Sequence, residues 1–321
     1  MREQVISPFP AIIRRYILEH MEYNMSIRAP EGFDFWLTAR GSGWSVLAPF
    51  SIDEEERTLY RVLRRGSGGV VRATIRQEES SDLTVRVESR EELNGTDLKE
   101  VKSVVGTCLM LDEDLSPFYS MLEGYSEFSW VAEIGAGRSI RCPTVFEDVV
   151  KTICTTNASW ALTKGMTRRL CERLGDTYSD DSYSFPTPHQ LAASTEEFMR
   201  AEVKSGYRSP YLVELARRIV KGELDVESWK KSSLDSASLK REVLGIKGVG
   251  QFAADNVLKL LGRYDFLALD SWMRRRFFEI HGEGREIPDA EIEEHYAPFG
   301  EWKGLVLQLD VSKEFLISRK R

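Results

Sequence analysis

The spacing of apolar and polar positions changes once along the chain. From about residue 31 to residue 90, the stretches GWSVLAPF, GGVVRATIR and LTVRVES are rich in β-branched residues, partly alternating, and bounded by Gly and Ser clusters. They predict an antiparallel sheet with a helix near the N-terminus. After about residue 97 the spacing becomes helical and stays so. Thr144 to Glu147 reads as a T-x-x-E capping box opening a helix whose apolar side carries Val145, Phe146, Val149, Val150 and Ile153. Ser194 to Glu197 reads as a second such box, Pro210 suits a first helical turn, and Gly222 suits the stop after YLVELARRIVK. The expected class is α+β, with an antiparallel sheet domain over residues 1–98 and an all-helical domain over residues 99–321.

The stretch LGIKGVGQFAADN places a glycine turn between two helices. Leu239, Val243 and Leu244 suit a helix ending at Gly245; Ala253, Ala254, Val257, Leu258 and Leu261 suit one that begins near Gln251 and stops at Gly262. Glycine reaches backbone angles barred to other residues, and the bare Gly248 and Gly250 let another molecule's backbone come close. Unpaired N–H groups at the start of the second helix carry partial positive charge and suit a phosphate oxygen. A hairpin over 245–250, with Val249 between its glycines, Lys247 beside the turn and Gln251 after it, is therefore a candidate grip on a nucleic-acid backbone that reads no sequence. Many helix pairs turn at a glycine and bind nothing; the full G-I-K-G-V-G pattern tips the balance toward phosphate.

Composition narrows the setting. The chain has 321 residues, 42% of them hydrophobic, and a net charge of −7, which by itself argues against a polyanionic partner. The distribution changes that picture, because Lys164, Arg168, Arg169 and Arg173 gather in one segment and Arg274 to Arg276 in another. No stretch is long enough to cross a bilayer, and Met1 to Met25 mixes Arg14, Arg15, Glu19 and Glu22 into its apolar residues, unlike a secretory signal. An intracellular location is expected. Cys108, Cys142, Cys154 and Cys171 are far apart, and His20, His189, His281 and His295 are equally scattered, so neither a zinc site nor a disulfide framework is expected.

LGIKGVGQFAADNVLKLLGRYDFLALDSWMRRRF resembles the helix-hairpin-helix DNA glycosylases, whose hairpin is followed about twenty residues on by a catalytic aspartate; Asp270 falls at that place. CPTVFEDVVKTICTTNASWALTKGMTRRLCERLG, SFPTPHQLA, SGYRSPYLVELARRIV and YAPFGEWKGLVLQLD are similar to successive helices of the 8-oxoguanine and 3-methyladenine glycosylase branches, whose N-terminal part is a sheet domain. The resemblance implies an enzyme that flips a damaged base out of double-stranded DNA and hydrolyses its N-glycosidic bond in base excision repair. It also implies an enzyme that acts as a monomer beside the genomic DNA and needs no cofactor; a monovalent cation at the hairpin backbone is the one ion the reading allows.

Departures from the family pattern sharpen the expectation. Lys247 replaces a proline before G-V-G. Phe252 stands where the bifunctional oxoguanine enzymes carry a nucleophilic lysine, and where 3-methyladenine glycosylase II enzymes line the pocket with tryptophan. The first substitution of lysine makes strand-cleaving lyase activity doubtful; an aromatic ring suits a cationic alkylated purine. Gly304 and Gln308 replace the glutamine and phenylalanine that hold the oxidised base, and the iron–sulfur cysteine loop of the endonuclease III branch is absent. By the resemblance, Asn157 enters the gap left by the flipped nucleotide, Tyr207 is a wedge, and Arg208 faces the orphaned base. Trp160, Trp272 and Trp302 are candidate pocket aromatics, with core packing the plainer alternative for each. Arg274 to Arg276 would add backbone attraction. Asp270 would stabilise oxocarbenium charge at C1′ while also suiting an N-cap. The expected reaction is monofunctional removal of an alkylated purine; an oxidised-purine glycosylase and a non-catalytic DNA-binding module are the alternatives.

Overall fold

A computed structural model describes residues 20–77, 82–282 and 285–320. Five strands, β1 (Met21–Ile27), β2 (Phe50–Asp53), β3 (Thr58–Arg64), β4 (Val70–Gln77) and β5 (Leu83–Ser89), form one antiparallel sheet in the order β1-β5-β4-β3-β2. Period-two alternation sets its register. Leu59 pairs with Ile75, and Ala73 with Val87, so that Val71, Ala73, Ile75, Leu83, Val85 and Val87 share one buried face. Helix Gly95–Cys108 covers that face with Val101, Val105 and Cys108. Its start is fixed by Asn94, whose side chain accepts from the Thr96 and Asp97 amides while the Asp97 carboxylate accepts from the Asn94 amide. The division expected between residues 98 and 99 thus falls inside a helix that packs on the sheet. The helix expected near the N-terminus is met at Phe35–Arg40, capped by Asp34; residues 1–19 lie outside the described part.

The remaining chain is helical apart from a two-stranded ribbon, Thr177–Ser179 with Ser182–Tyr183, which corrects the all-helical expectation. Its strands are too short to show a period, and only the Asp180-Asp181 turn marks it. Helix Val145–Thr155 is the centre of the main core, with Val145, Phe146, Val149, Val150, Ile153 and Cys154 all buried. Thr144 caps it through the Glu147 amide, as expected. The Glu147 side chain does not return to close the box; Glu227 instead accepts from the Val145 and Phe146 amides at 3.1 and 2.9 Å. The second box is displaced by one residue, because Thr195 and not Ser194 is the N-cap, accepting from Phe198 N. Helix Ser209–Val220 has Pro210 in its first turn, and Gly222 follows its end at φ +72°. A third core gathers Phe277, Tyr296, Phe299 and the buried face of helix Lys303–Lys320.

Glu147 is committed to a buried ion cluster that ties the sheet to the helices. Its carboxylate lies 2.6 Å from Arg61 Nη2 on β3 and 2.7 Å from Lys151 Nζ, one turn along its own helix. Lys151 also donates to the Leu47 carbonyl, and the Arg61 guanidinium stacks 4.1 Å from the Phe50 ring centre. Beside it, Trp44 Nε1 donates to Asp148, which also accepts from the Cys142 amide. All four cysteines are free and buried, and burial pushes the Cys154 thiol up to about 12. No helix among the described residues is long and apolar enough to cross a membrane.

Candidate nucleic-acid interface and active site

Helix Ser236–Leu244 ends at Gly245, and helix Gln251–Leu260 begins after Gly250, so the hairpin has the expected extent. Gly248 has φ +88°, a left-handed conformation that favours glycine. The space beside it is filled from within: a Cβ there would meet the Tyr211 ring at 2.3 Å. Gly250 faces open space, and no side chain caps the helix behind it. The free amides and the positive end of the helix dipole therefore lie at Gly250 and the exposed Gln251. Val249 is buried as the hairpin's anchor. Lys247 is exposed but paired with Glu214 at 3.1 Å, and the Gly245 carbonyl accepts from Arg218.

Three candidates fifty residues apart in sequence meet next to this hairpin. Asn157 follows helix Val145–Thr155 at φ +45°, a region asparagine tolerates better than most residues. Its Nδ2 lies 3.4 Å from the Tyr207 hydroxyl, which donates to the Thr156 carbonyl at 3.2 Å. Tyr207 is 49% exposed and packs edge-on against Tyr211, the residue that fills the space at Gly248. Asn157, Tyr207, Tyr211 and the hairpin thus form one continuous ridge. Arg208 departs from expectation. It is buried, its ring-stacked guanidinium donating to the Ile153 and Thr156 carbonyls, so in the free protein it braces the ridge from below.

Asp270 is the N-cap of helix Ser271–His281, its carboxylate accepting from the Met273 amide at 2.8 Å. The cap fixes one carboxylate oxygen of Asp270 at the helix end. Two cations lie within its electrostatic reach, Arg274 and Lys259. Arg274 is tied bidentately to Asp289 at 2.7 and 2.8 Å, and Arg276 to Glu279 and Glu314, so neither is free for phosphate as expected. Arg275 is exposed and has no partner among the described residues. Trp272 and Trp160 are about two-fifths exposed, the latter pressed on Gly43, where a Cβ would meet its ring at 2.5 Å. Trp302 stacks on Tyr264 in the core. Phe252 and Gln308 are half-buried. Gly304 has a backbone reason: a Cβ there would meet the Phe266 carbonyl oxygen at 2.3 Å, in the loop that leads to Asp270.

Residues 150–300 match the family described as HhH-GPD superfamily base excision DNA repair protein. Over that stretch, which holds the hairpin and Asp270, the chain is similar to this superfamily. A DNA-3-methyladenine glycosylase of Bacillus subtilis is 24% identical over 64% of this chain and 69% of its own length. Two solved structures share the fold. The 3-methyladenine DNA-glycosylase from Archaeoglobus fulgidus superposes with a TM-score of 0.73 at 18% identity, over 91% of this chain and 98% of that one. An 8-oxoguanine glycosylase/lyase of Clostridium acetobutylicum, in complex with double-stranded DNA containing cytosine opposite 8-oxoguanine, gives 0.68 at 20% identity, over 92% and 98%.

Against the superfamily's hairpin, Lys259 is the residue that sequence reasoning passed over. It lies seven positions after Phe252 on helix Gln251–Leu260, hence on the same face two turns on. It is half-buried, with no hydrogen-bond or ion-pair partner among the described residues. Burial pushes its pKa down to about 8, against the pull of the Asp270 charge. The periodicity gives no sign of this, since a lysine on an amphipathic helix ordinarily reads as solvated.

A folded-state pKa below the unfolded value means that the charged amine costs stability up to about pH 8, and that the cost fades as the pH rises from there toward 10.5. Lys259→Met should therefore stabilise the fold at pH 7 by about 1–2 kcal/mol, discounted for partial exposure, with the advantage shrinking by pH 10. Urea unfolding at both pH values reads this out. Equal stability at pH 7 would show that the amine is not desolvated.

Proposed function

We propose that the protein extrudes a damaged purine, an alkylated one foremost, from double-stranded DNA and hydrolyses its N-glycosidic bond without cutting the strand. DNA glycosylase chemistry of base excision repair is what the similarity to this superfamily supports. The finer reading rests chiefly on one observation, the Asp270 carboxylate fixed at a helix N-terminus twenty residues beyond an uncapped hairpin.

The chemistry follows from the parts. Hairpin amides at Gly250 and Gln251 hold backbone phosphates, and the exposed Arg275 adds charge attraction that weakens with salt. Extrusion costs about a few kcal/mol, less for a damaged or mispaired base. Asn157 and Tyr207 on the ridge fill the vacated gap. Asp270 stabilises positive charge growing on the sugar and takes a proton from the attacking water. The half-buried Phe252 ring offers a π face to a cationic base, and Gly304, closed off by the Phe266 carbonyl, has no room for a side chain that would grip an oxidised one. The reading needs neither a cofactor nor an iron–sulfur cluster; a monovalent cation at the hairpin backbone would add to the phosphate grip. The enzyme works as a monomer, inside the cell beside the genomic DNA.

Lys259 favours a second reading, an oxidised-purine glycosylase with lyase activity. Its partner-free amine, with a pKa lowered to about 8, is a nucleophile two turns from the position where the lyase enzymes keep theirs. Duplexes containing 3-methyladenine, 7-methylguanine, hypoxanthine, 8-oxoguanine or uracil, incubated with and without alkali and with borohydride, separate the two. Release of an alkylated purine, with strand breaks only after alkali and no trapped covalent complex, is expected. Trapping on the 8-oxoguanine duplex that disappears in Lys259→Gln would establish the second reading instead, and tight binding without release from any duplex would end both.

A further inference from the structure

We propose that His281, His295 and Asp310 form a binding site for a divalent transition-metal ion of the zinc class, which staples the far end of the helix that Asp270 begins. Three helices supply the donors: His281 ends Ser271–His281, His295 lies in Asp289–Tyr296, and Asp310 in Lys303–Lys320. One ligand atom from each residue lies within 4.8 Å of the other two. His281 Nε2 is 2.8 Å from Asp310 Oδ2, which also accepts from the Tyr296 hydroxyl at 2.6 Å. That tyrosine sets the plane of the carboxylate, as outer partners of metal ligands do. The other oxygen, Oδ1, has no partner among the described residues.

His295 is the telling member. Its ring is held by His281 at 4.6 Å, Tyr296 at 4.8 Å and Phe277 at 5.2 Å between ring centres, yet its nitrogens have no hydrogen-bond partner among the described residues. An exposed imidazole fixed by three rings, with its donor atoms unused, is in place for a ligand.

The donor set selects the ion. Two imidazoles and one carboxylate suit zinc and its neighbours, whereas magnesium and calcium ask for oxygen throughout. Zinc–ligand bonds of about 2.0–2.1 Å put tetrahedral donors about 3.3 Å apart, so metal would replace the 2.8 Å His281–Asp310 hydrogen bond and draw His295 in. The exposed side of His295 leaves the fourth position to water. Helix Ser271–His281 has 11 residues, so at about 1.5 Å per residue the site is about 16 Å from Asp270, outside any contact with the reacting sugar. The metal's effect is therefore on how firmly that helix is seated, and it stands whether or not the lesion assignment does.

The test uses the full chain, stripped of metal with a chelator and dialysed, then titrated with zinc chloride alone by calorimetry and melted with and without it. One bound equivalent and a raised Tm are expected in the wild type. His295→Gln should weaken binding about tenfold or more and abolish the Tm rise. His189→Gln, altering an exposed imidazole elsewhere, should bind like the wild type. His281→Gln also breaks the bond to Asp310, so His295→Gln is the deciding variant. No zinc uptake at micromolar concentrations, wild-type binding by His295→Gln, or equal loss in His189→Gln would each overturn the site.

Discussion

Asp270→Asn should lower the rate of base release about 10³-fold, while duplex affinity stays within about twofold. The two residues are equally good N-caps, so the bond to the Met273 amide and the seating of helix Ser271–His281 survive the change. On the proposed mechanism, what disappears is the negative charge beside the C1′ carbon and the capacity to take a proton from water. Single-turnover release and fluorescence anisotropy on the same lesion duplex measure the two effects separately. If release stays within tenfold of wild type, the carboxylate is only a cap. Asp270→Ala would confound the result by removing about 1 kcal/mol of capping as well.

Glu147→Gln should cost about 3–5 kcal/mol of stability, because it leaves two buried cations without their counter-charge. Arg61 and Lys151 are 4% and 0% exposed, so neither can turn to water. Burial alone would raise the Glu147 pKa, but Arg61 and Lys151 outweigh it and hold the carboxyl below its ordinary range. The sign follows from that direction: the stabilisation is present above the unfolded-state value and is lost as pH falls through the lower folded-state one. The wild type should therefore lose this contribution only well into acid, and the variant should lack it already at pH 7. Urea unfolding from pH 3 to 7 reads both; a loss under about 1 kcal/mol at pH 7 would mean that the cluster is not the clamp its geometry describes.

What the sequence made legible was local. Gly248 announces the turn because few other residues reach its φ of +88°, Gly245 and Gly250 mark the helix ends on either side of it, and Asp270, Thr144 and Pro210 announce helix starts because capping is settled within three or four residues. Even there a one-residue slip occurred, since Ser194 and Thr195 are equally suited to cap. The sheet was legible through its alternation. What stayed hidden depends on side chains arriving from distant segments: Tyr211 behind Gly248, the Phe266 carbonyl against Gly304, Asp289 taking Arg274, the inward turn of Arg208, and the loss of solvent around Lys259. The scattered histidines likewise gave no hint that His281 and His295 would end with rings 4.6 Å apart.

The contact between Tyr211 and Gly248 fixes a length. Tyr207 and Tyr211 are one helical turn apart, their rings 6.1 Å apart, and the second is wedged against the backbone of the hairpin. The hairpin amides proposed to take a phosphate and the ring proposed to enter the stack are therefore held at a fixed spacing by direct packing. Such an assembly behaves as a caliper. On the proposed reading it would sit on a duplex only where the distance from backbone to gap matches its own span, so that a base already yielding to that spacing would be found by measurement before any pocket examines its chemistry.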